Sequence, residues 1–228
     1  PMMYCMYTRP VGDIARQHDM EHFSYADDGQ GYEILELPMQ WTQAADRITA
    51  CVGDLQAWMN SNMLKLNQDK FEFIIFHPRH HPIDPKDFSI TMEGNTFTPS
   101  PCVKNLGVNQ DECLSMERHV SAITKSCYHQ IRSIGRIRKY ISTEACRALV
   151  QSTVMSRLDY CNVLLHNLPK SLLHRLQLVQ NTCARLVSCT KHQDSISPAL
   201  KELHWLPVEY RAKYKVLFYT YKAMHGLA

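Results

Sequence analysis

The residues with the clearest potential for chemistry are two adjacent carboxylates, Asp27 and Asp28. Neighbouring side chains on a strand point to opposite faces, so the two can converge on one ligand only if the backbone turns beside them. Two carboxylates held together repel, and a hard divalent cation, above all Mg²⁺, relieves that repulsion at neutral pH. The pair is therefore a candidate Mg²⁺ site. Asp-Asp-Gly as ordinary turn chemistry on a solvated hairpin remains the alternative.

Two short strands must position this pair. Phe23-Ser24-Tyr25-Ala26 leads into it, and Gly29 and Gly31 follow directly and are expected to supply the turn. The segment 32–37, Tyr32-Glu33-Ile34-Leu35-Glu36-Leu37, is typical of a return strand. The sequence therefore predicts a β-hairpin over 21–37 with the acid pair at its tip.

Four further blocks accompany Tyr25-Ala26-Asp27-Asp28 in the chain. They are Trp58 to Lys70 (Trp-Met-Asn-Ser-Asn-Met-Leu-Lys-Leu-Asn-Gln-Asp-Lys), Lys104-Asn105-Leu106-Gly107-Val108, Ser156-Arg157-Leu158-Asp159-Tyr160-Cys161-Asn162 and Leu203-His204-Trp205-Leu206-Pro207-Val208. In this order and spacing, the five blocks resemble the reverse transcriptase of LINE-type (non-LTR) retrotransposons of the broad Jockey-like kind. The resemblance covers nearly the whole chain.

The resemblance implies an RNA-directed DNA polymerase that extends a DNA primer on an RNA template from deoxynucleoside triphosphates. In such an enzyme Asp27 and Asp28 would hold two Mg²⁺ ions, and Tyr25 would lie beside the primer end. Lys70 matches a family position suspected of assisting the departing pyrophosphate, with a solvated lysine as the alternative.

The resemblance also assigns Leu106 and Gly107 to the primer grip, where a glycine lets the protein backbone approach the nucleic acid closely. A simple β-bulge at Gly107 is the alternative. The family's first metal-binding aspartate and its glycine-rich block precede the region that this chain matches. The chain is therefore expected to be a fragment that is inactive alone, and its parent is expected in the nucleus and cytoplasm. A non-catalytic, helical nucleic-acid-binding fragment is the competing interpretation.

Charge divides the chain. Residues 1–114 carry eight Lys/Arg and sixteen Asp/Glu, whereas residues 115–228 carry seventeen and six. An acidic part that could hold cations and a basic part that could hold phosphates suit a nucleic-acid polymerising enzyme, although two solvated surfaces of opposite sign would give the same balance. The change in charge coincides with a change in periodicity, so a domain boundary is predicted near residue 114.

Nine cysteines occur without a Cys-x-x-Cys pair, which indicates reduced thiols in an intracellular protein. No apolar run approaches the length of about 18 residues that a membrane span needs, so no membrane association is expected.

The predicted fold class is α+β. Residues 1–114 are expected to form part of an antiparallel palm sheet with a packed helix over 41–63, strands at 71–76 and 103–108, and a hairpin over 88–98. Residues 115–228 are expected to form an all-α bundle, the thumb of a polymerase. Its first helix combines one apolar stripe with a basic surface on which Arg132, Arg136 and Lys139 are the candidate nucleic-acid contacts. The further basic residues of that surface are Arg118, Lys125 and Arg138.

Overall fold

The computed structural model describes residues 2–35, 41–67, 70–80, 88–92 and 94–227. The chain forms two compact units, residues 1–103 and 104–228. The change in charge and periodicity falls at 114, eleven residues after the end of the first unit. The short segment 104–114 belongs with the helices because Asp111 binds the start of the first of them.

The first unit is built around one long helix. Helices α1 (Met2–Tyr7) and α2 (Arg9–Gln17) precede it, and α3 (Trp41–Ser61) confirms the helix predicted over 41–63. Two small clusters of buried side chains lie along α3. One contains Ala15, Met20 and Cys51, and the other joins Ala44 and Val52 to Phe88, Ile90 and Met92.

Both predicted hairpins of this unit are confirmed as hairpins. Strands β1 (Glu21–Tyr25) and β2 (Asp28–Tyr32) pair antiparallel, as do β3 (Ile90–Met92) and β4 (Asn95–Phe97). The described strands nevertheless form three separate two-stranded sheets, so they do not build the single palm sheet that was expected. Mixed helices and small antiparallel sheets place the chain in the α+β class.

Two strand predictions in this unit are wrong. The return strand ends at Tyr32, and Glu33 directly after it forms an ion pair with Arg47 of α3. Residues 33–35 are outside any strand, and 36–37 lie outside the described residues. The segment 71–76 is also outside any strand. Its alternate residues Phe71, Phe73 and Ile75 pack against the cluster that contains Phe88, which we call the Phe88 cluster. Their alternation therefore reflects burial and not pairing with another strand.

The predicted strand over 103–108 is a hairpin instead. Strand β5 (Cys102–Asn105) is joined to β6 (Val108–Asp111) by the two residues Leu106 and Gly107, whose φ angles are +44° and +81°. A two-residue turn with positive φ at both positions matches the twist of the flanking strands. Gly107 is therefore a turn residue, and the bulge alternative is wrong as well.

The second unit is helical, as predicted. Its elements are α4 (Glu117–Ile137) with a 3₁₀ turn at Arg138–Tyr140, α5 (Thr143–Val150), a π turn at Gln151–Met155, α6 (Ser156–Asp159), a 3₁₀ turn at Asn162–Leu165, α7 (Lys170–Ser188), α8 (Ser197–Glu202) and α9 (Val208–Met224). Ser142 caps α5, accepting a hydrogen bond from the Ala145 N–H at 3.2 Å. Ser197 is the first residue of α8. No helix in the described ranges is long and apolar enough to cross a lipid bilayer.

One continuous core holds the second unit together. The apolar face of α4 (Val120, Cys127, Ile131, Ile134) packs with Leu172, Leu176, Val179, Cys183 and Val187 of α7, and with Val150, Val154 and Leu158 of the helix between them. Burial raises the pKa of the Cys183 thiol to about 12, and it raises that of Cys127 to about 11. These thiols are therefore neutral core residues.

Polar contacts fix both ends of α4. At its start the buried Asp111 carboxylate accepts hydrogen bonds from the Ser115 and Met116 N–H groups at 2.8 and 3.0 Å and from the Ser115 hydroxyl at 3.0 Å. At its end the Arg138 guanidinium donates to the carbonyls of Leu186 and Val187 in the last turn of α7. Arg138 was expected on the basic surface, and that expectation is wrong because its charge is used within the bundle.

The Asp111 contact makes stability depend on pH. Burial alone would raise the pKa of Asp111, but the hydrogen bonds from Ser115, Met116 and Cys113 more than offset burial and lower it. A carboxylate with a lowered pKa stabilises the fold at neutral pH, and that stabilisation is lost as the pH falls through the folded-state pKa, which lies below the usual aspartate value. We expect D111N to unfold more easily at pH 7, by about 1.5–3 kcal/mol, and to show a flatter pH dependence in urea titrations between pH 7 and pH 3.

The control is E202Q, which removes an exposed carboxylate from α8 of the same unit. Equal pH profiles for wild type and D111N would contradict this role of Asp111.

Candidate metal-binding hairpin and nucleic-acid interface

The acid pair lies at the tip of the β1–β2 hairpin. Tyr25 pairs directly with Asp28, so the turn consists of Ala26 and Asp27 alone, and Ala26 has a φ of +55°. The expectation that Gly29 and Gly31 make this turn is wrong, because both lie inside β2. The pairing of Tyr25 with Asp28 determines this turn. Asp27 therefore lies in the turn, and Asp28 is the first residue of β2.

The two faces of this hairpin differ in their surroundings. Residues paired across the strands share a face, so Asp28 lies on the same face as Tyr25, Phe23 and Tyr32. These three rings are 62%, 56% and 55% exposed, respectively. The opposite face carries the half-buried His22, whose pKa is lowered by burial and then by the charge of Arg16 in α2. The hairpin therefore rests on α2 and presents Asp28 beside aromatic rings in solvent.

The carboxylate oxygens of Asp27 and Asp28 are of the type that binds magnesium. Two carboxylates alone do not complete the coordination of the ion. Both carboxylates are exposed, and neither forms a hydrogen bond or ion pair with a described residue. Within the described part of the chain, no third His, Cys, Asp or Glu lies at metal-binding distance from the pair. Magnesium is commonly held by one or two carboxylates with waters and substrate phosphates, which is the arrangement that these two residues could support.

Lys70 is not brought to the acid pair by any described contact. It is exposed, and its N–H donates to the Asn67 carbonyl at 3.1 Å. The next residue, Phe71, packs edge-on against Phe97 with ring centroids 5.1 Å apart. The position of Lys70 is thus determined by the packing of Phe71 in the Phe88 cluster. The position of the acid pair is determined by the β1–β2 hairpin.

Leu106 and Gly107 form a turn that is covered by Tyr160. The Tyr160 hydroxyl donates a hydrogen bond of 2.6 Å to the Leu106 carbonyl. A methyl group at Gly107 would lie 3.5 Å from the Tyr160 ring, an ordinary contact distance. No local pattern connects Tyr160 with this turn, because Tyr160 and Leu106 are 54 residues apart in the chain.

The exposed side of α4 carries a continuous basic stripe, here defined as Arg118, Lys125, His129, Arg132 and Arg136. All five are exposed, and at about 3.6 residues per turn they fall on one line of the helix, opposite Val120, Cys127, Ile131 and Ile134. None of them forms an ion pair with a described residue. The stripe extends for about 27 Å at 1.5 Å per residue.

Lys139 continues the basic surface beyond the helix. It lies exposed on the 3₁₀ turn, and its ammonium is 4.7 Å from the centroid of the Tyr140 ring. The structure thus exposes Arg132 and Arg136 on α4 and Lys139 on the turn that directly follows it. His129, which the sequence prediction omitted, could have been found from its spacing of three and four residues to Arg132 and Lys125.

No protein-family model, curated protein or solved structure matches the chain.

The turn at Gly107 can be tested against a matched glycine. A side chain at a φ of +81° is strained, so we expect G107A to destabilise the protein by about 1–2 kcal/mol in urea denaturation. Gly135, exposed in the last turn of α4 with nothing within 4 Å of an added methyl group, is the control. There alanine should stabilise by about 1 kcal/mol because it favours helix. Shifts of the same sign in both variants would contradict the turn assignment.

Proposed function

We propose that this chain is the later palm and the thumb of an RNA-directed DNA polymerase of the LINE type. The observation that carries the proposal is the position of Tyr25-Ala26-Asp27-Asp28, with both carboxylates exposed at a hairpin tip and Tyr25 paired with Asp28. An acid pair in this setting is suited to hold catalytic metal ions close to a bulky, negatively charged substrate.

In this proposal Asp27 and Asp28 hold Mg²⁺ together with the phosphates of a deoxynucleoside triphosphate. When bound, the ions lower the pKa of the primer 3′-hydroxyl and stabilise charge on the departing pyrophosphate. Tyr25 packs beside the primer end and orients it. Lys70 is the candidate proton donor to the pyrophosphate.

The second unit is proposed to hold the primer-template duplex. The stripe on α4 offers unpaired charges over about 27 Å, and double-stranded nucleic acid carries one negative charge for about every 1.7 Å of its axis. Such contacts fix the position of the duplex and carry little sequence information. Arg132, Arg136 and Lys139 are assigned this role, together with Arg118, Lys125 and His129.

The metal-binding part of the proposal predicts a loss of bound metal. With Mn²⁺ as the probe, and with primer-template and deoxynucleoside triphosphate present, we expect the full chain to bind the ion and D27N/D28N to lose that binding. The reason is that the variant keeps the hairpin and removes the anionic oxygen ligands. The free Mn²⁺ signal in electron paramagnetic resonance measures binding directly.

The matched control is D19N/D46N, which removes two exposed carboxylates from the same unit away from the turn. Retention of the bound ion by D27N/D28N, or an equal loss in the control, would refute the metal assignment.

The nucleic-acid part predicts a steep salt dependence. Fluorescence anisotropy with an RNA–DNA duplex should give a log-log slope of about −0.9 for each phosphate contacted. K125Q/R132Q/R136Q should make that slope less steep by about 2.7, because three phosphate contacts are lost. Affinity near physiological salt should fall by at least about tenfold, in line with the phosphate contribution to binding.

The control for the stripe is K170Q/K191Q/K201Q. It removes the same total charge from exposed positions of the same unit outside α4. If both triple variants lose affinity equally, general positive charge explains binding and the stripe has no special role.

A second candidate function, nucleic-acid binding without catalysis, is favoured by one specific observation. The described residues supply no third metal ligand beside Asp27 and Asp28. Duplex binding that depends on the stripe, combined with no Mn²⁺ binding at Asp27 and Asp28, would select this candidate over the polymerase.

A further inference from the structure

The buried residues of helix α9 lie at its beginning. Val208 and Ala212 are buried, the Val208 N–H donates to the Gln177 side chain at 2.9 Å, and Arg211 forms an ion pair with Asp159. From 213 to 227, all described, Lys215, Val216 and Lys222 are half-buried and every other residue is exposed. The later turns of α9 therefore contribute no buried residue to the core and leave most of their side chains in solvent.

One side of this helix is lined with aromatic rings. The face is defined as Tyr210, Tyr214, Leu217, Phe218 and Tyr221, which recur at three- and four-residue spacing and so share one side. Tyr214 and Tyr221 are 58% and 57% exposed, and Phe218 is 41% exposed. The rings of Tyr214 and Phe218 lie nearly parallel, with an interplanar angle of 21° and centroids 6.1 Å apart. Flat rings already arranged as a stack, and open to solvent, can receive another flat group.

Lysines accompany these rings. Lys213, Lys215 and Lys222 lie on α9, and the Lys222 ammonium is 5.8 Å from the centroid of the Phe218 ring. After Glu209 the printed sequence contains no Asp or Glu. The face is thus complementary to a ligand that carries both flat rings and negative charge.

We propose that the aromatic face of α9 binds single-stranded nucleic acid, with bases stacked on Tyr214, Phe218 and Tyr221 and phosphates near Lys213 and Lys222. Stacking of this kind tolerates any sequence because every base offers a flat ring. The site is separate from the α4 stripe in both its residues and the form of nucleic acid that it takes. It therefore extends the proposed function without depending on it.

Two other occupants fit the charges less well. A second copy of the chain would bring the lysines of one α9 near those of the other, with only Glu209 on each helix to offset them. An amphipathic helix that binds a lipid surface carries a charged face opposite its apolar one, whereas Val216, Tyr219 and Ala223 lie opposite the rings of α9. Both occupants give distinct outcomes in the test below.

The test compares two fluorescent 12-mers on the full chain, oligo(dT) and an abasic oligomer of the same length. The two carry the same phosphates, but only the first has bases. We expect tighter binding of oligo(dT), since each stacked base contributes a factor of roughly 5 to 150 in affinity. Equal affinity for both oligomers would overturn the proposal.

The decisive variant is Y214L/F218L. Leucine keeps the face apolar and favours helix more than the residues it replaces, so only the flat rings are lost. We expect oligo(dT) affinity to fall about tenfold or more, toward that of the abasic oligomer, while duplex affinity stays unchanged. F76L is the control, because Phe76 is 49% exposed and belongs to the other unit. Unchanged oligo(dT) binding by Y214L/F218L, or an equal loss in F76L, would overturn the proposal.

Two further measurements identify the other occupants. A dimer in sedimentation that Y214A/F218A abolishes would assign the face to a second copy. Tight binding to phosphatidylcholine–phosphatidylserine vesicles, abolished by the same variant, would assign it to a lipid surface. Either result overturns the proposal. Loss of duplex binding in K125Q/R132Q/R136Q with oligo(dT) binding retained would show that the α4 and α9 sites act separately.

Discussion

Burial of the apolar face of α4 against α7 is the interaction on which the helical unit depends. Val120, Cys127 and Ile131 enter a core shared with Leu176 and Cys183, and this packing fixes the rotation of α4 about its own axis. The apolar face and the basic stripe lie on opposite sides of α4. Burial of the apolar face in the core therefore keeps the stripe from Arg118 to Arg136 in solvent. The Asp111 and Arg138 contacts hold the two ends of α4, so the stripe is carried on a rigid element.

The helices could be predicted because burial alone determines their pattern. The spacing of apolar residues predicts α3 over 41–63, and it predicts the apolar stripe of α4 that the core buries. The strands were more difficult to predict from the sequence. Alternation of apolar and polar residues indicates an extended, half-buried segment, but it does not identify the strand with which that segment pairs. Phe71, Phe73 and Ile75 alternate in this way but belong to no strand. In the first hairpin, the turn was predicted at the glycines of β2, whereas it lies at Ala26 and Asp27.

The candidate sites show the same limit at the level of single side chains. Arg136 and Arg138 are two residues apart and look alike in the sequence, yet Arg136 is exposed on the stripe and Arg138 closes the end of α7. Tyr160 covers the Leu106–Gly107 turn through a contact between residues far apart in the chain. Such roles depend on tertiary contacts that no local pattern contains. The acid pair differs because its chemistry is local: two adjacent carboxylates at a two-residue turn are exposed whatever surrounds the hairpin.

Chemical footprinting of lysines tests whether α4 holds the phosphates of a nucleic-acid duplex. The acetylation rate of each lysine of the full chain would be measured by mass spectrometry with and without an RNA–DNA duplex. The account predicts strong protection of Lys125 and Lys139 and unchanged rates for Lys65 and Lys201, which are exposed elsewhere in the chain. Protection of Lys65 and Lys201 with none at Lys125 and Lys139 would contradict it.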